Sequence, residues 1–180
     1  HDRLLVRQHL IAQGPPLPRD VVRAATLRLA NALALGRSSA RPELCERLVA
    51  ALNADDLPPV RSLGSSGQAD LAQTADLAEG LLGDVELVAG EAIALLNQNA
   101  FSTGQGALAL RDALALLDAL DIAGALDLEA YAANRDNMLH PVVATVRPSA
   151  GVRATLTRLR ALVEGSGVSP RALQDPLTFR

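Results

Sequence analysis

Apolar side chains recur at helical spacing along most of the chain. The spacing i, i+3, i+4 places them on one face of a helix, which packs against a shared core. The pattern predicts helices over residues 3–13, 21–35, 42–52, 70–82, 86–96, 102–128 and 154–163. We therefore predict an all-α fold, in which roughly antiparallel helices form a bundle or part of one.

Proline, glycine and serine separate these helices. Residues 14–18, Gly-Pro-Pro-Leu-Pro, predict a rigid bend because proline fixes φ and lacks an N–H donor. Asp20 is placed to cap the second helix, and Pro42 is placed to open the third. Residues 53–67 have no helical period and divide the helices into two groups. Residues 135–151, which prolines interrupt, are predicted to be extended.

The helix predicted over residues 102–128 differs from the others, because its apolar residues occupy more than one face. A helix that is apolar nearly all round is buried on several sides. A chain of 180 residues has few helices to cover so many faces. The pattern therefore predicts contacts with other subunits.

Composition excludes several classes of protein. A hydrophobic content of 49% with a formal charge of −3 argues against disorder. No uncharged apolar run approaches the ~18 residues of a membrane span. The single cysteine, Cys45, argues against a disulfide scaffold and suits a reducing compartment. Slight acidity and 2% aromatic residues argue against nucleic-acid binding. With no signal peptide recognisable at its start, we expect a cytoplasmic protein.

Common catalytic and metal-binding motifs are absent from the sequence. His9, His140 and Cys45 have no further ligand at metal-binding spacing, so no metal site is predicted. No Gly-x-Ser-x-Gly elbow of a serine hydrolase occurs. Residues 64–67, Gly-Ser-Ser-Gly, precede a predicted helix and could hold an anion on backbone N–H groups. Because they form neither a Walker loop nor a dinucleotide fingerprint and follow no predicted strand, the same four residues taken alone favour a simple turn.

A series of short segments is more specific than any one motif. The segments are LVRQH (5–9), PLP (16–18), VVRAA (21–25), NALA (31–34), RPEL (41–44), GSSG (64–67), DLA (70–72), EAIALLN (91–97), FST (101–103), RP (147–148) and QDP (174–176). Their order and spacing resemble the aromatic amino-acid ammonia-lyases, which include the histidine, phenylalanine and tyrosine lyases and related aminomutases. The resemblance covers essentially the whole chain.

The resemblance implies that residues 1–180 form a single helical domain from the middle of a longer protein. It begins after the segment that carries the family's catalytic tyrosine loop and ends before the C-terminal half of the bundle. We expect either a central fragment or a naturally shortened relative. Because lyases of this family are homotetramers, the resemblance also implies a homo-oligomer, or a second chain that completes the bundle.

Family chemistry depends on an electrophile, methylidene-imidazolone, which forms when an Ala-Ser-Gly tripeptide cyclises and loses water. Glycine lets its backbone nitrogen reach back to a carbonyl, and serine supplies the hydroxyl that leaves. The electrophile activates an aromatic or histidine-like L-amino acid for loss of ammonia. No exogenous cofactor is implied.

The chain departs from the family at this tripeptide. The family has Gly-Ser-x-Gly, then Ala-Ser-Gly, then Asp-Leu-Ala. Here residues 64–67 are followed by only Gln68 and Ala69 before residues 70–72, Asp-Leu-Ala. We call this alignment the first register. In it, Pro58 and Val60 also match the family pattern without a gap. We favour this register, which leaves no serine from which the electrophile could form.

A second register places Ser65, Ser66 and Gly67 on the tripeptide, with serine in place of alanine. It treats Gln68 and Ala69 as an insertion and loses the upstream proline match. Methylidene-imidazolone is expected only if Ser65-Ser66-Gly67 cyclises.

Other family positions are kept unevenly. Asn97 corresponds to the asparagine that supports the electrophile, and Gln174 to an active-site glutamine. Arg180 corresponds to the arginine that binds the substrate carboxylate, a role that suits the forked guanidinium. The tyrosine expected before it is Leu177, and Asp76 occupies the position that tunes the aromatic substrate.

Each of these residues also has a purely structural interpretation. Asn97 could cap a helix, Gln174 could satisfy backbone groups, and Arg180 could be solvated. Two hypotheses follow for the function. The first is an aromatic amino-acid ammonia-lyase homologue with impaired chemistry. The second is a catalytically inactive, lyase-like protein, a pseudoenzyme that acts through assembly or ligand binding.

Overall fold

The computed structural model describes residues 1–65, 67–146 and 149–176, and this part of the chain is mainly helical, as the periodicity predicts. The helices are α1 (Asp2–Gln8), α2 (Arg19–Ala34), α3 (Pro42–Ala54), α4 (Leu71–Leu82), α5 (Glu91–Leu96), α6 (Ala100–Tyr131), α7 (Arg135–Leu139), α8 (Pro141–Val146) and α9 (Ala150–Leu162). Two short strands, β1 (Gln13–Pro16) and β2 (Arg61–Leu63), accompany them. The chain divides into two compact units, His1–Arg111 and Asp112–Arg180, which we describe separately.

The first unit has an aliphatic core, as expected for a chain so poor in aromatic residues. Its leucines project from several helices and are fully buried; they are Leu29, Leu44, Leu48, Leu77, Leu82, Leu95 and Leu96. Burial of each such side chain stabilises the fold by about 1.5–3 kcal/mol. This core fixes the positions of α4 and α5, and the candidate site lies at the loop that leads into α4.

The predicted starts of α3 and α4 are confirmed. Pro42 occupies the first turn of α3, and Asp70 is the N-cap of α4. The prediction for α2 is wrong by two residues, because Pro18 is the N-cap and Asp20 lies inside the first turn. The carboxylate of Asp20 still accepts a hydrogen bond from the Val21 N–H at 2.9 Å.

The strand pair is not visible in the sequence pattern. β1 and β2 pair antiparallel, with Gln13 opposite Leu63 and Pro16 opposite Arg61. Their segments were predicted as a bend and an aperiodic loop, since neither alternates apolar and polar residues. Pairing between segments so distant in the chain comes from the tertiary fold. β2 ends directly before the loop that leads into α4.

The second unit contains the later part of α6 together with α7, α8 and α9. Its small core is formed by Ala125, Leu128, Ala133, Leu139 and Val163. The prediction of an extended segment over residues 135–151 is wrong, because α7 and α8 occupy most of it. Pro141 does not prevent the second of these helices, since it stands in the first turn, where the missing N–H costs nothing.

The long helix α6 has 32 residues and remains exposed along much of its length. Leu114, Leu117 and Leu120 are 55, 58 and 55% exposed. The chain itself therefore does not provide the burial that the apolar pattern predicted, and contact with other subunits stays a prediction. Among the described residues, no helix has the length and apolar character needed to cross a membrane.

Candidate functional site

The candidate site is centred on the loop between β2 and α4. Gly64 opens the loop with φ +136°, a conformation that side chains disfavour. A Cβ atom at this position would lie 2.8 Å from Ala72 Cβ and 3.2 Å from Ala12 Cα. Only glycine therefore fits here, and the family pattern has a glycine at this position in either register.

A buried carboxylate closes the loop. Asp70, 4% exposed, accepts a hydrogen bond from Ser65 Oγ at 3.2 Å through Oδ1. Its Oδ2 accepts from the backbone N–H and the hydroxyl of Ser102 at 2.9 and 3.0 Å. The N–H of Gly67 in turn donates to Ser65 Oγ at 3.2 Å. Asp70 thus ties the loop to the first turn of α6, and Ser65 holds the loop in a tight turn.

The segment after α5 lies beside this loop. The Asp70 N–H donates to the Gln98 carbonyl at 2.8 Å, and Thr74 Oγ1 donates to the Leu96 carbonyl at 3.2 Å. Asn97 ends α5, is exposed, and makes no side-chain hydrogen bond within the described part of the chain. The structure therefore brings the segment of Asn97 and the loop together, and leaves the Asn97 amide open to a ligand.

Asp76 lies two turns further along α4 and is held by Arg61. The Arg61 backbone N–H, Nε and Nη2 donate to its carboxylate at 3.1, 2.9 and 2.5 Å. The hydrogen bond with Asp76 raises the pKa of Arg61 above its usual value. Gln73 Nε2 also donates to the Ser62 carbonyl at 3.1 Å. The carboxylate of Asp76 thus fastens β2 to α4, and its predicted contact with a substrate stays a prediction.

A third buried carboxylate fixes the start of α5. Glu91 is fully buried and accepts hydrogen bonds from Arg41 N, Nε and Nη2 at 2.9, 2.9 and 3.1 Å. A fourth bond comes from the Val88 N–H at 2.9 Å. Burial raises the pKa of Glu91, but the hydrogen bonds from Arg41 and Val88 outweigh burial, so that the pKa lies below its usual value.

Sequence reasoning missed Arg61, Ser102, Arg41 and Glu91 as partners in ion pairs and hydrogen bonds. Three of the four lie in segments that carry the family resemblance, which is the only signal that could have marked them. Arg61 lies in none of these segments, and its pairing with Asp76 follows from the tertiary fold alone.

The remaining predicted residues belong to the second unit or lie outside the described residues. Gln174 is exposed, in the irregular segment that follows α9. Ser66, Leu177 and Arg180 lie outside the described residues, as do the Arg-Pro residues 147–148 of the resemblance. Among the described residues, no three histidine, cysteine or carboxylate side chains are grouped as metal ligands would be.

The fold is similar to solved structures of aromatic amino-acid lyases and aminomutases. The tyrosine aminomutase of Streptomyces globisporus superposes with a TM-score of 0.85 at 30% identity, over 93% of this chain and 36% of that one. Histidine ammonia-lyase from Trypanosoma cruzi superposes with a TM-score of 0.80 at 29% identity, over 88% of this chain and 36% of that one.

The family model described as aromatic amino acid lyase matches residues 1–90 and 84–180. The chain belongs to this family. Histidine ammonia-lyase from Deinococcus radiodurans is 39% identical over 94% of this chain and 37% of its own length. The corresponding enzyme of Streptococcus sanguinis is 35% identical over 98% of this chain and 40% of its own length. The chain thus spans about two fifths of these relatives.

The family's protein-derived group, methylidene-imidazolone, can be tested against the loop. The group needs Ala-Ser-Gly directly before the aspartate that caps α4. Here Gln68 and Ala69 precede Asp70, whose backbone N–H and carboxylate are both anchored. Neither residue offers a hydroxyl that could leave as water. In this register the residues present do not fit the group.

Proposed function

We propose that the chain is the core of an amino-acid-binding member of the lyase family in which elimination of ammonia is impaired. The observation that carries this proposal is the pair Gln68 and Ala69 in front of the anchored Asp70. An intact member forms its electrophile from serine at this point. Without that electrophile the amine of a bound amino acid stays a poor leaving group.

One contact supports the first register over the second. In the second register Ser65 would take the alanine position, yet its hydroxyl donates to Asp70 and accepts from the Gly67 N–H. Gly64, which has no room for a side chain against Ala72, falls on a glycine of the family pattern in both registers.

The ligand proposed is an aromatic or histidine-like L-amino acid. Arg180 would bind its carboxylate at two points, since a guanidinium fork matches that group. Asn97 and Gln174 would contribute amide groups, and Asp76 would face the side chain of the ligand if Arg61 released it. The similarity to histidine ammonia-lyases supports this ligand class.

The mass of the intact chain tests the proposal most directly. We expect the unmodified mass, and no unsaturated acid above a blank when histidine, phenylalanine or tyrosine is supplied. Absorbance of the product measures the second outcome. A mass lower by two waters, restored to the unmodified value in Ser66→Ala, would establish the second register. Product above the blank would overturn the proposal of impaired chemistry.

We also propose that the chain assembles through the exposed leucines of α6, with itself as a homo-oligomer, tetrameric by resemblance, or with a complementing chain. Leu114, Leu117 and Leu120 each offer about 1.5–3 kcal/mol on full burial. A cytoplasmic location agrees with the lone Cys45.

Light scattering after size exclusion measures this assembly. We expect an oligomer for the chain, and a smaller species for the double variant Leu114→Gln, Leu117→Gln. A matched control, Leu27→Gln with Val49→Gln, removes two apolar groups of the first unit that are 53 and 42% exposed, and it should leave the mass unchanged. A monomeric parent chain, or equal dissociation in both double variants, would contradict assembly through α6.

A further inference from the structure

The irregular segment after α9 is held against the junction of α6 and α7. The Arg171 N–H donates to the Ala132 carbonyl at 2.8 Å, and its guanidinium lies 5.2 Å from the centroid of the Tyr131 ring. Arg135 Nη2 donates to the Val168 carbonyl at 2.9 Å. A segment without helix or strand is thus fixed by contacts to one short stretch, residues 131–135.

Asn134 is the centre of this arrangement. It is 7% exposed, and its Nδ2 donates to the Leu173 carbonyl at 2.7 Å. Its backbone N–H donates to Asp175 Oδ2 at 3.0 Å, and Asp175 is itself buried. Asn134 therefore forms hydrogen bonds to both Leu173 and Asp175, the residues on either side of Gln174. The side chain of Gln174 itself is exposed.

We propose that Asn134 is a positioning residue that fixes the direction in which Gln174 faces its ligand. This inference rests on the proposed function, in which Gln174 contacts a bound amino acid. Holding the Leu173 carbonyl and the Asp175 side chain restricts the backbone at position 174, so that less of this segment must be ordered on binding. A group that meets a ligand is precise only when neighbouring residues lock it in this way.

Asn134 also caps α7, because its Oδ1 accepts from the Asp136 N–H at 3.2 Å. A role in helix stability alone must therefore be separated from the role in positioning. Serine caps helices about as well as asparagine, but it is shorter and lacks the amide donor. Asn134→Ser thus keeps the cap and removes the bond to Leu173. Asn134→Asp also keeps the cap acceptor and sets an oxygen against the Leu173 carbonyl.

Hydrogen exchange of the whole chain, followed by mass spectrometry, tests the positioning directly. In both variants we expect exchange in peptides covering residues 131–136 and 171–176 to accelerate about tenfold, the loss expected for one hydrogen bond. Exchange in α9 should not change. Ser149→Ala, which removes the cap of α9, is the matched control and should leave the 171–176 peptide as it was. Unchanged exchange in both Asn134 variants would overturn the proposal.

Calorimetric titration with histidine, phenylalanine and tyrosine adds a readout that helix stability alone would not move. Where the parent chain binds one of these, we expect affinity to fall about tenfold in both Asn134 variants and to be kept in Ser149→Ala. Equal affinity in parent and variants would overturn the positioning role even with faster exchange. If the parent chain binds none of the three, the proposed function fails, and hydrogen exchange alone decides whether Asn134 positions Gln174.

Discussion

Replacing Glu91 with alanine is expected to lower the free energy of unfolding of the first unit by about 3 kcal/mol. The side chain is fully buried and accepts four hydrogen bonds, three of them from Arg41. Its removal leaves the N–H groups of Arg41 and Val88 without an acceptor at the start of α5. Because the Arg41 side chain is 39% exposed, water can solvate its guanidinium, which keeps the loss near the lower end for a broken buried pair.

Urea unfolding followed by circular dichroism measures this loss, since the chain has no tryptophan and its single tyrosine, Tyr131, lies in the second unit. Hydrogen exchange would assign the change to the first unit. Glu43→Ala is the matched control, because Glu43 also pairs with Arg41 but is 55% exposed. Its loss should stay below about 1 kcal/mol. Equal losses in the two variants would show that burial of Glu91 contributes nothing.

The same pair makes stability depend on pH in the acid range. The folded pKa of Glu91 lies below its usual 4.5, so the unfolded chain takes up the proton first as the pH falls. The stabilisation is therefore complete above that usual value and is lost as the pH falls through the folded pKa. Unfolding midpoints of the parent chain should fall more steeply below pH 4.5 than those of Glu91→Ala.

Local signals account for the parts of the fold that the sequence predicts well. Pro42 opens α3 because the first turn of a helix needs no N–H, and the leucines of α3 at positions 44, 48 and 52 recur at helical spacing. Both properties belong to residues close in the chain. The prediction over residues 135–151 failed because it also relied on a local signal. Pro141 interrupts the helical pattern, but the sequence alone does not show that it begins a new helix, α8.

The candidate site depends on contacts that no local signal carries. The loop at residues 64–70 and Asn97 were found because their residue types match a family pattern. Arg61 and Asp76 lie 15 positions apart, and Arg41 and Glu91 lie 50 apart. An arginine and a carboxylate at such separations resemble any other surface charges in the sequence. Only the packing of α3, α4 and α5 shows that the two carboxylates are buried.

These contacts bear on the function as well as the fold. Asp70 caps α4, Gln73 and Asp76 lie on it, and each holds part of the segment from β2 to Ser65. This segment is thus anchored at three points along one helix. Such a loop can present a fixed surface to a ligand although the residues before Asp70 do not fit the family's electrophile.

The anchored loop leaves no room for a side chain at Gly64. Gly64→Ala is therefore expected to lower the free energy of unfolding by about 3 kcal/mol. Roughly half of this comes from backbone strain at φ +136° and half from overlap of the new methyl group with Ala72. The Cα of Ala12 closes the other side of the position at 3.2 Å, so the loop cannot move away freely. Urea unfolding by circular dichroism measures the change.

Gly67→Ala is the matched control in the same loop. Gly67 also has a positive φ, +88°, but a Cβ atom there would have no neighbour within 4 Å. Only the strain of about 1–2 kcal/mol should remain. Ala72→Gly alone costs about 1 kcal/mol inside a helix, so a double-mutant cycle isolates the overlap: its coupling with Gly64→Ala should be about 1 kcal/mol or more, and its coupling with Gly67→Ala should be near zero. If the two variants lose equal free energy of unfolding and neither couples to Ala72, then contact with α4 does not constrain the loop.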